Sequence, residues 1–265
     1  MSGSKVLIGI PAYNEAHSIA SVVHRSIPHG ASVVVVDDGS TDSTGAEALH
    51  AGATVIRHER NSGKGVAVAT LFRHAIVEGA DILVLIDGDG QHDPCEIPMV
   101  AGPCCSGRAD VVVGSRFHPD SHHSTPRIRR LGQLAFNAMT SVASGVPCSD
   151  SQSGFRAFSR RAFCSMRLTE ASFSVESEMQ FECRVRNLRL AEIPISCSYE
   201  MPPKRNVLCH GAGVLSRLTA MAVRRRALKG GPAVALPDTP VTVTYGVPAQ
   251  AHGVLESAAV SVTGD

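Results

Sequence analysis

Four short aliphatic runs, each closed by a polar cluster, constrain this chain more than any other feature. KVLIGI at 5–10 ends in PAYNE, VVVV at 33–36 ends in DDGS, ILVLI at 82–86 ends in DGDGQ, and ADVVVG at 109–114 ends in SR. Such runs are too short for helices and rich in aliphatics, so each reads as a buried strand. Helical patterns lie between them. Residues 11–27 place Ile19, Val22, Val23 and Ile27 at helical spacing, with Asn14 as a candidate N-cap. A helix is predicted from about Ser43, a strand over Ala53–Arg57, and helices over Gly65–Glu78 and Pro94–Cys105. Strands alternating with helices imply right-handed crossovers and a mostly parallel, Rossmann-like α/β sheet. Ligands bind such sheets beyond the carboxyl ends of the strands, where all four polar clusters fall. Four clusters on one edge point to a nucleotide-type site.

The stretch DILVLIDGDGQHDP at 81–94 carries the chemistry. Gly88 and Gly90 let the backbone turn sharply and approach a ligand closely. Asp87 and Asp89 could both reach a hard divalent cation that keeps open positions for phosphate oxygens, and Gln91 adds a neutral oxygen. Taken alone, the same residues also fit an acidic turn that ends a strand. No GxGxxG follows the first strand, and NSGKG at 61–65 lacks the spacing of a phosphate loop. What is left is a nucleoside diphosphate held through a metal, with Asp38 available to base or ribose. Lys64 either neutralises phosphate or is solvated beside a helix start.

Composition narrows the function classes. Lys and Arg number 25 against 24 Asp and Glu, so no basic field argues for nucleic acid. At 43% hydrophobic over 265 residues the chain can bury a sizeable core. No apolar run is long enough to span a bilayer. MSGSKVLIGI has neither the apolar core nor the cleavage site of a signal peptide. Eight cysteines without a CxxC pair fit reduced cytosolic thiols. The expectation is a cytoplasmic protein, soluble or peripheral on the cytoplasmic face of a membrane.

PAYNE at 11–15, VVVVDDGSTDST at 33–44, NSGKG at 61–65 and IDGDGQHDP at 86–94 together resemble family 2 glycosyltransferases of the GT-A fold. VVGSRF at 112–117 and DSQSGFRAFSR at 150–160 are similar to the polyprenyl-phosphate (dolichol-phosphate) mannose or glucose synthase branch. The resemblance implies an inverting hexosyltransferase that takes a UDP- or GDP-sugar to a polyprenyl phosphate. Pro11, Tyr13, Glu15, Val36 and Asp38 would line the nucleotide-sugar pocket together with Lys64 and Gly88. Asp87, Asp89 and Gln91 would hold Mg or Mn. Asp89, Arg116 and Arg156 would act at the donor or acceptor phosphates. Lys204 and Arg205 would close over the donor, although Glu200 stands where some relatives carry an arginine. Residues 1–117 would be the nucleotide-sugar half and 118–229 the acceptor half of one catalytic domain, followed by a poorly ordered tail over 230–265.

In the second half, His122 and His123 read as part of a polar loop rather than a metal site. Arg127, Arg129 and Arg130 are candidates for an anionic headgroup or acceptor phosphate. Helices are predicted over Leu131–Val142 and 172–188, and a strand over 190–199. Residues 213–229 read as a cationic amphipathic helix that suits an anionic membrane surface or a docked position with a solvated basic end. A short strand fits Val241–Tyr245. A phosphate acceptor is already ionised, whereas a glycan hydroxyl would need a carboxylate base, with Asp150, Glu176 and Glu178 as candidates. A silent nucleotide-sugar-binding protein is the third reading.

Overall fold

The computed structural model describes residues 3–118, 127–171, 174–198 and 241–244. Eight strands form one sheet: β1 (Val6–Ala12), β2 (Ser32–Asp37), β3 (Thr54–His58), β4 (Ile82–Leu85), β5 (Val111–Ser115), β6 (Arg156–Ser159), β7 (Leu190–Pro194) and β8 (Val241–Thr244). The helices are α1 (Ile19–Ser26), α2 (Thr44–His50), α3 (Lys64–Val77), α4 (Ile97–Cys105), α5 (Arg127–Ser144), α6 (Arg160–Ser165) and α7 (Val175–Val185). Strand order is β7-β5-β6-β4-β1-β2-β3-β8.

Side-chain alternation along the strands builds two cores. Ile8 and Ile10 of β1 pack with α1, α2 and α4 on one face. Leu7 of the same strand packs with α3, α6 and α7 on the other. Burial on both faces explains why these strands read as continuous aliphatic runs rather than alternating ones. β1 pairs in parallel with β2 and β4, and β2 with β3. The expected parallel sheet is interrupted by β6, which lies antiparallel between β4 and β5. β7 then pairs in parallel with β5, and β8 closes the far edge antiparallel to β3.

Several local expectations change. Asn14 does not cap α1. It adopts a left-handed φ of 55°, which Asn tolerates, and its Oδ1 accepts the Thr41 N–H at 2.9 Å. Ser18 takes the cap position, and Ile27 falls in the 3-10 turn that follows. β7 stops at Pro194, short of residue 199. β6 and α6 had no sequence signal, because FRAFSRRAF mixes arginines into both elements. The strand expected near Val241 is present as β8. His122, His123, Lys204, Arg205 and the helix expected over 213–229 lie outside the described residues. Among the described residues no helix is long and apolar enough to cross a membrane.

Asp110, just before β5, ties three elements together. Its carboxylate accepts from the Arg189 backbone N–H at 2.9 Å, from Arg189 Nε at 3.0 Å and from Arg161 Nη1 at 3.2 Å. Hydrogen bonds from Arg189 hold its pKa below the usual carboxylate value against the opposing effect of burial. A depressed folded-state pKa contributes stability above the unfolded value, lost as pH falls through the folded one. Asp110→Asn should therefore lower the melting temperature by an amount that is constant from neutral pH down to about pH 4 and shrinks below it. Melts of both proteins across that range check this.

Candidate active site

The carboxyl ends of β1, β2, β4 and β5 lie along one edge of the sheet, as their registers require. The antiparallel β6 starts at that edge, so residues 149–155 arrive there from the other direction. The loop after β4 is fixed by backbone contacts. The Gly88 carbonyl accepts the Ser18 hydroxyl at 2.7 Å, and a Cβ on Gly88 would press on Ile19 at 3.1 Å. Gly90 has φ +75°, a conformation that favours glycine.

Asp87 and Asp89 emerge from this loop in different surroundings. Asp87 Oδ1 pairs with Lys64 Nζ at 2.7 Å, and the same ammonium pairs with Glu176 Oε1 at 2.7 Å. Burial opposes the Lys64 charge, but Asp87 and Glu176 outweigh it and hold its pKa above the ordinary lysine value. Burial would likewise raise the Asp87 pKa, yet the surrounding positive charges, Lys64 foremost, pull it down. Among the described residues Asp89 forms no ion pair, and the Lys64 charge acts on it more weakly than burial does. Burial and the neighbouring Asp87 charge push its pKa up to about 6, while Oδ1 accepts the Gln91 N–H at 3.0 Å. Gly154 lies against the Asp87 carboxylate so closely that a Cβ there would overlap it. Pro11, Lys64, Asp87, Gly154, Arg156 and Glu176 line one small cleft.

Two arginines of the sequence analysis take different positions. Arg116, one residue beyond β5, is gripped by Asp150, which accepts Nε at 2.7 Å, Nη2 at 2.9 Å and the backbone N–H at 3.0 Å. Arg156, expected at the phosphates, lines the cleft with its guanidinium turned to backbone acceptors. It is 1% exposed and donates to the carbonyls of Ser153, Glu176 and Ser151 at 2.8, 3.0 and 2.8 Å. A guanidinium spent on backbone acceptors braces the loop before β6.

Asp38 is also more internal than expected. Oδ1 meets His58 Nδ1 at 2.7 Å and the Ser62 N–H at 2.9 Å, and Oδ2 accepts the Gly63 N–H at 2.7 Å. It thus holds the NSGKG loop and presents Lys64. Tyr13 is 39% exposed beyond β1, while Val36 is in the core. The Glu15 backbone N–H donates to Thr44 Oγ1 at 2.8 Å, and the Gln91 carbonyl accepts the Ser198 N–H at 2.9 Å.

Of the three carboxylates considered as bases, Asp150 and Glu178 are engaged through both oxygens, whereas Glu176 pairs through Oε1 and its buried Oε2 has no hydrogen-bond partner among the described residues. Asp150 grips Arg116, Glu176 binds Lys64, and Glu178 accepts from the Thr169 and Glu170 N–H groups at 2.9 and 3.0 Å. Gly154 and His92 were missed by the sequence analysis. His92 is 5% exposed, and burial and Arg116 push its pKa down to about 4, so it is neutral near pH 7. Its place in GQHDP was the only available signal.

Two oxygen-bearing carboxylates suit a hard cation, and the repulsion that raises the Asp89 pKa is the kind a dication relieves. Among the described residues no group of three or more His, Cys, Asp or Glu surrounds one point. A cation fitting here would complete its shell with water and diphosphate oxygens, as Mg2+ commonly does.

Residues 7–165 match the family described as Glycosyl transferase family 2. The chain belongs to that family and is a glycosyltransferase of the GT-A fold. It is 32% identical over 220 residues to UDP-N-acetylglucosamine–dolichyl-phosphate N-acetylglucosaminyltransferase of Methanococcus voltae, covering 75% of this chain and 88% of that one. It is 29% identical over 204 residues to undecaprenyl-phosphate mannosyltransferase of Micrococcus luteus, covering 72% and 83%. Glucosyl-3-phosphoglycerate synthase of Mycobacterium tuberculosis, in complex with Mn2+, UDP and glucosyl-3-phosphoglycerate, superimposes with a TM-score of 0.66. That match has 22% identity over 92% of this chain and 88% of the other.

Lys64→Met leaves Asp87 and the 4% exposed Glu176 without their shared cation. The expected cost is about 3–5 kcal/mol in urea unfolding, and adding Glu176→Gln should recover part of it.

Proposed function

We propose that this chain transfers a hexose from a UDP- or GDP-sugar to the phosphate of a polyprenyl (dolichyl) lipid, with inversion and with Mg2+ or Mn2+. The observation that carries this reading is the engagement of Asp150 by Arg116 and of Glu178 by the Thr169 and Glu170 N–H groups, with Glu176 charge-paired to Lys64. A glycan hydroxyl needs a base to remove its proton, whereas an ionised phosphate oxygen does not. The names of the Methanococcus and Micrococcus relatives support the same acceptor class.

In this reading Pro11, Tyr13 and Glu15 shape the nucleoside pocket, with Val36 packed in the core behind it and reaching it only through its backbone, and Asp38 sets the loop that presents Lys64. Asp87, Asp89 and Gln91 hold the cation, with Gly88 allowing the diphosphate close to the backbone. When bound, the cation supplies Lewis-acid stabilisation of the leaving group. An acceptor phosphate oxygen forms a bond to the anomeric carbon as the bond from that carbon to the β-phosphate oxygen breaks. The electron pair leaves with the nucleoside diphosphate. Arg116, kept in one orientation by Asp150, meets phosphate charge there, joined by Lys204 and Arg205. Residues 1–229 form the catalytic unit, divided near 117 into donor and acceptor halves. Cys95, Cys104, Cys105, Cys148, Cys164 and Cys183 are free thiols, in keeping with a reducing cytoplasm and work at the cytoplasmic face of a membrane.

Transfer of radiolabel from a panel of UDP- and GDP-hexoses into organic-extractable polyprenyl phosphate tests the assignment. EDTA should abolish labelling, and Asp89→Ala should lower it by about a hundredfold or more. Gly154→Ala, which displaces the Asp87 carboxylate, should fall in the same direction while the protein stays folded by circular dichroism. Label that stays water-soluble on a glycan would refute the lipid acceptor.

A further inference from the structure

Strand β3 carries the side chains that brace the loop after β2. Arg57 Nη1 pairs with Asp37 Oδ2 at 2.6 Å, and Nη2 donates to the Ser40 carbonyl at 2.7 Å. The buried His58 meets Asp38 Oδ1 through Nδ1 at 2.7 Å and Thr70 Oγ1 through Nε2 at 3.0 Å. Asp38 in turn accepts the Ser62 and Gly63 N–H groups just ahead of Lys64. The loop also packs on the chain that follows β3. Gly39 has φ +69°, and a Cβ there would lie 2.5 Å from the Arg60 carbonyl carbon. Ser40 reaches the loop after β1, its hydroxyl accepting the Asn14 N–H at 3.0 Å.

Two neighbouring residues of β3 thus hold both acids at the end of β2, and β8 begins opposite the same two. Val241 pairs with His58 and Thr242 with Arg57, then Val243 with Ile56 and Thr244 with Val55. Without β8 the outer N–H and C=O groups of β3 would form an open sheet edge. Edges open locally at low cost, and every opening of β3 loosens Asp37, Asp38 and, through Gly63, the approach to Lys64. β8 itself is four residues long and joins β3 from far along the chain, so its docking is a low-stability contact that a ligand can bias.

We infer that β8 is a strap: its pairing along β3 raises the affinity for the donor nucleoside diphosphate, and the bound nucleotide in turn holds β8 in place. The coupling runs both ways because β8 and nucleotide favour the same arrangement of β3 and the DDGS loop. The inference rests on the donor half of the reading above, with the nucleotide beyond the ends of β1 and β2. A strand that merely covered an edge would change stability and leave nucleotide affinity alone.

The test uses the full chain and the double variant Thr242→Pro, Val243→Pro. Neighbouring N–H groups of a strand point to opposite sides, so replacing both removes a pairing bond whichever of them faces β3. Titration calorimetry with UDP and with GDP, each with Mg2+, should show the affinity of the nucleotide that binds falling about fivefold or more in the variant. Amide hydrogen exchange at 54–58 should be faster in the variant. In the wild type, nucleotide should slow exchange at 241–244, a readout that needs no variant to fold. Equal affinity in the two proteins, or exchange at 241–244 that nucleotide leaves unchanged, overturns the strap. So does a wild-type dimer that the variant splits, because β8 would then belong to a second copy. A wild type that binds neither nucleotide refutes the donor reading along with the strap, whereas equal binding by both proteins refutes the strap alone.

Discussion

The Lys64 ammonium is the interaction on which the cleft depends. It sits on the first residue of α3 and binds the loop after β4 through Asp87 and the first turn of α7 through Glu176. Burying this many charges is unfavourable unless each is paired, so the positions of the two carboxylates are set by one cation. The next residue extends the same seam. The Gly65 N–H donates to the Ala171 carbonyl at 3.0 Å, and the Glu170 carbonyl lies where a Cβ would be. Lys and Gly of NSGKG thus join the first half of the chain to the second, one by charge and the other by having no side chain.

Around that seam the second half is organised by arginines whose donors are turned inward. Arg156 binds three carbonyls and shapes the turn into β6. Arg116 is held by Asp150 along one edge, which fixes its orientation. Asn137 fixes the residues on either side of Asp150. Position is therefore relayed from α5 through the 149–151 loop to Arg116 by directional hydrogen bonds, each with a buried partner that would be costly to leave unpaired.

The parallel half of the sheet was legible because its strands are buried on both faces and end in turn residues at one edge. The DGDGQ loop was legible for the same reason, since Gly88 and Gly90 stand where the backbone must turn. What a one-dimensional reading missed was how polar groups are spent. Asp150 and Arg156 look like exposed chemistry in DSQSGFRAF, yet their partners lie elsewhere in the chain or on the backbone. Asn14 has the side chain of a helix cap, but Thr41, 27 positions away, claims it. Gly154 stood inside DSQSGFRAFSR without being singled out, because its importance is an absence of volume beside a carboxylate from the loop after β4.

The placement of β6 has a consequence for how the chain reaches this structure. β4 and β5 are close in sequence, but neither pairs with the other; both pair with a strand that begins at Arg156. During synthesis the parallel half is complete well before that strand exists, and the open side of β4 presents unpaired backbone groups. Closure of the sheet waits for a long-range insertion, which slows folding and leaves an aggregation-prone edge exposed meanwhile. The same insertion brings Gly154 and Arg156 to Asp87, so the cleft and the last central pairing of the sheet form together.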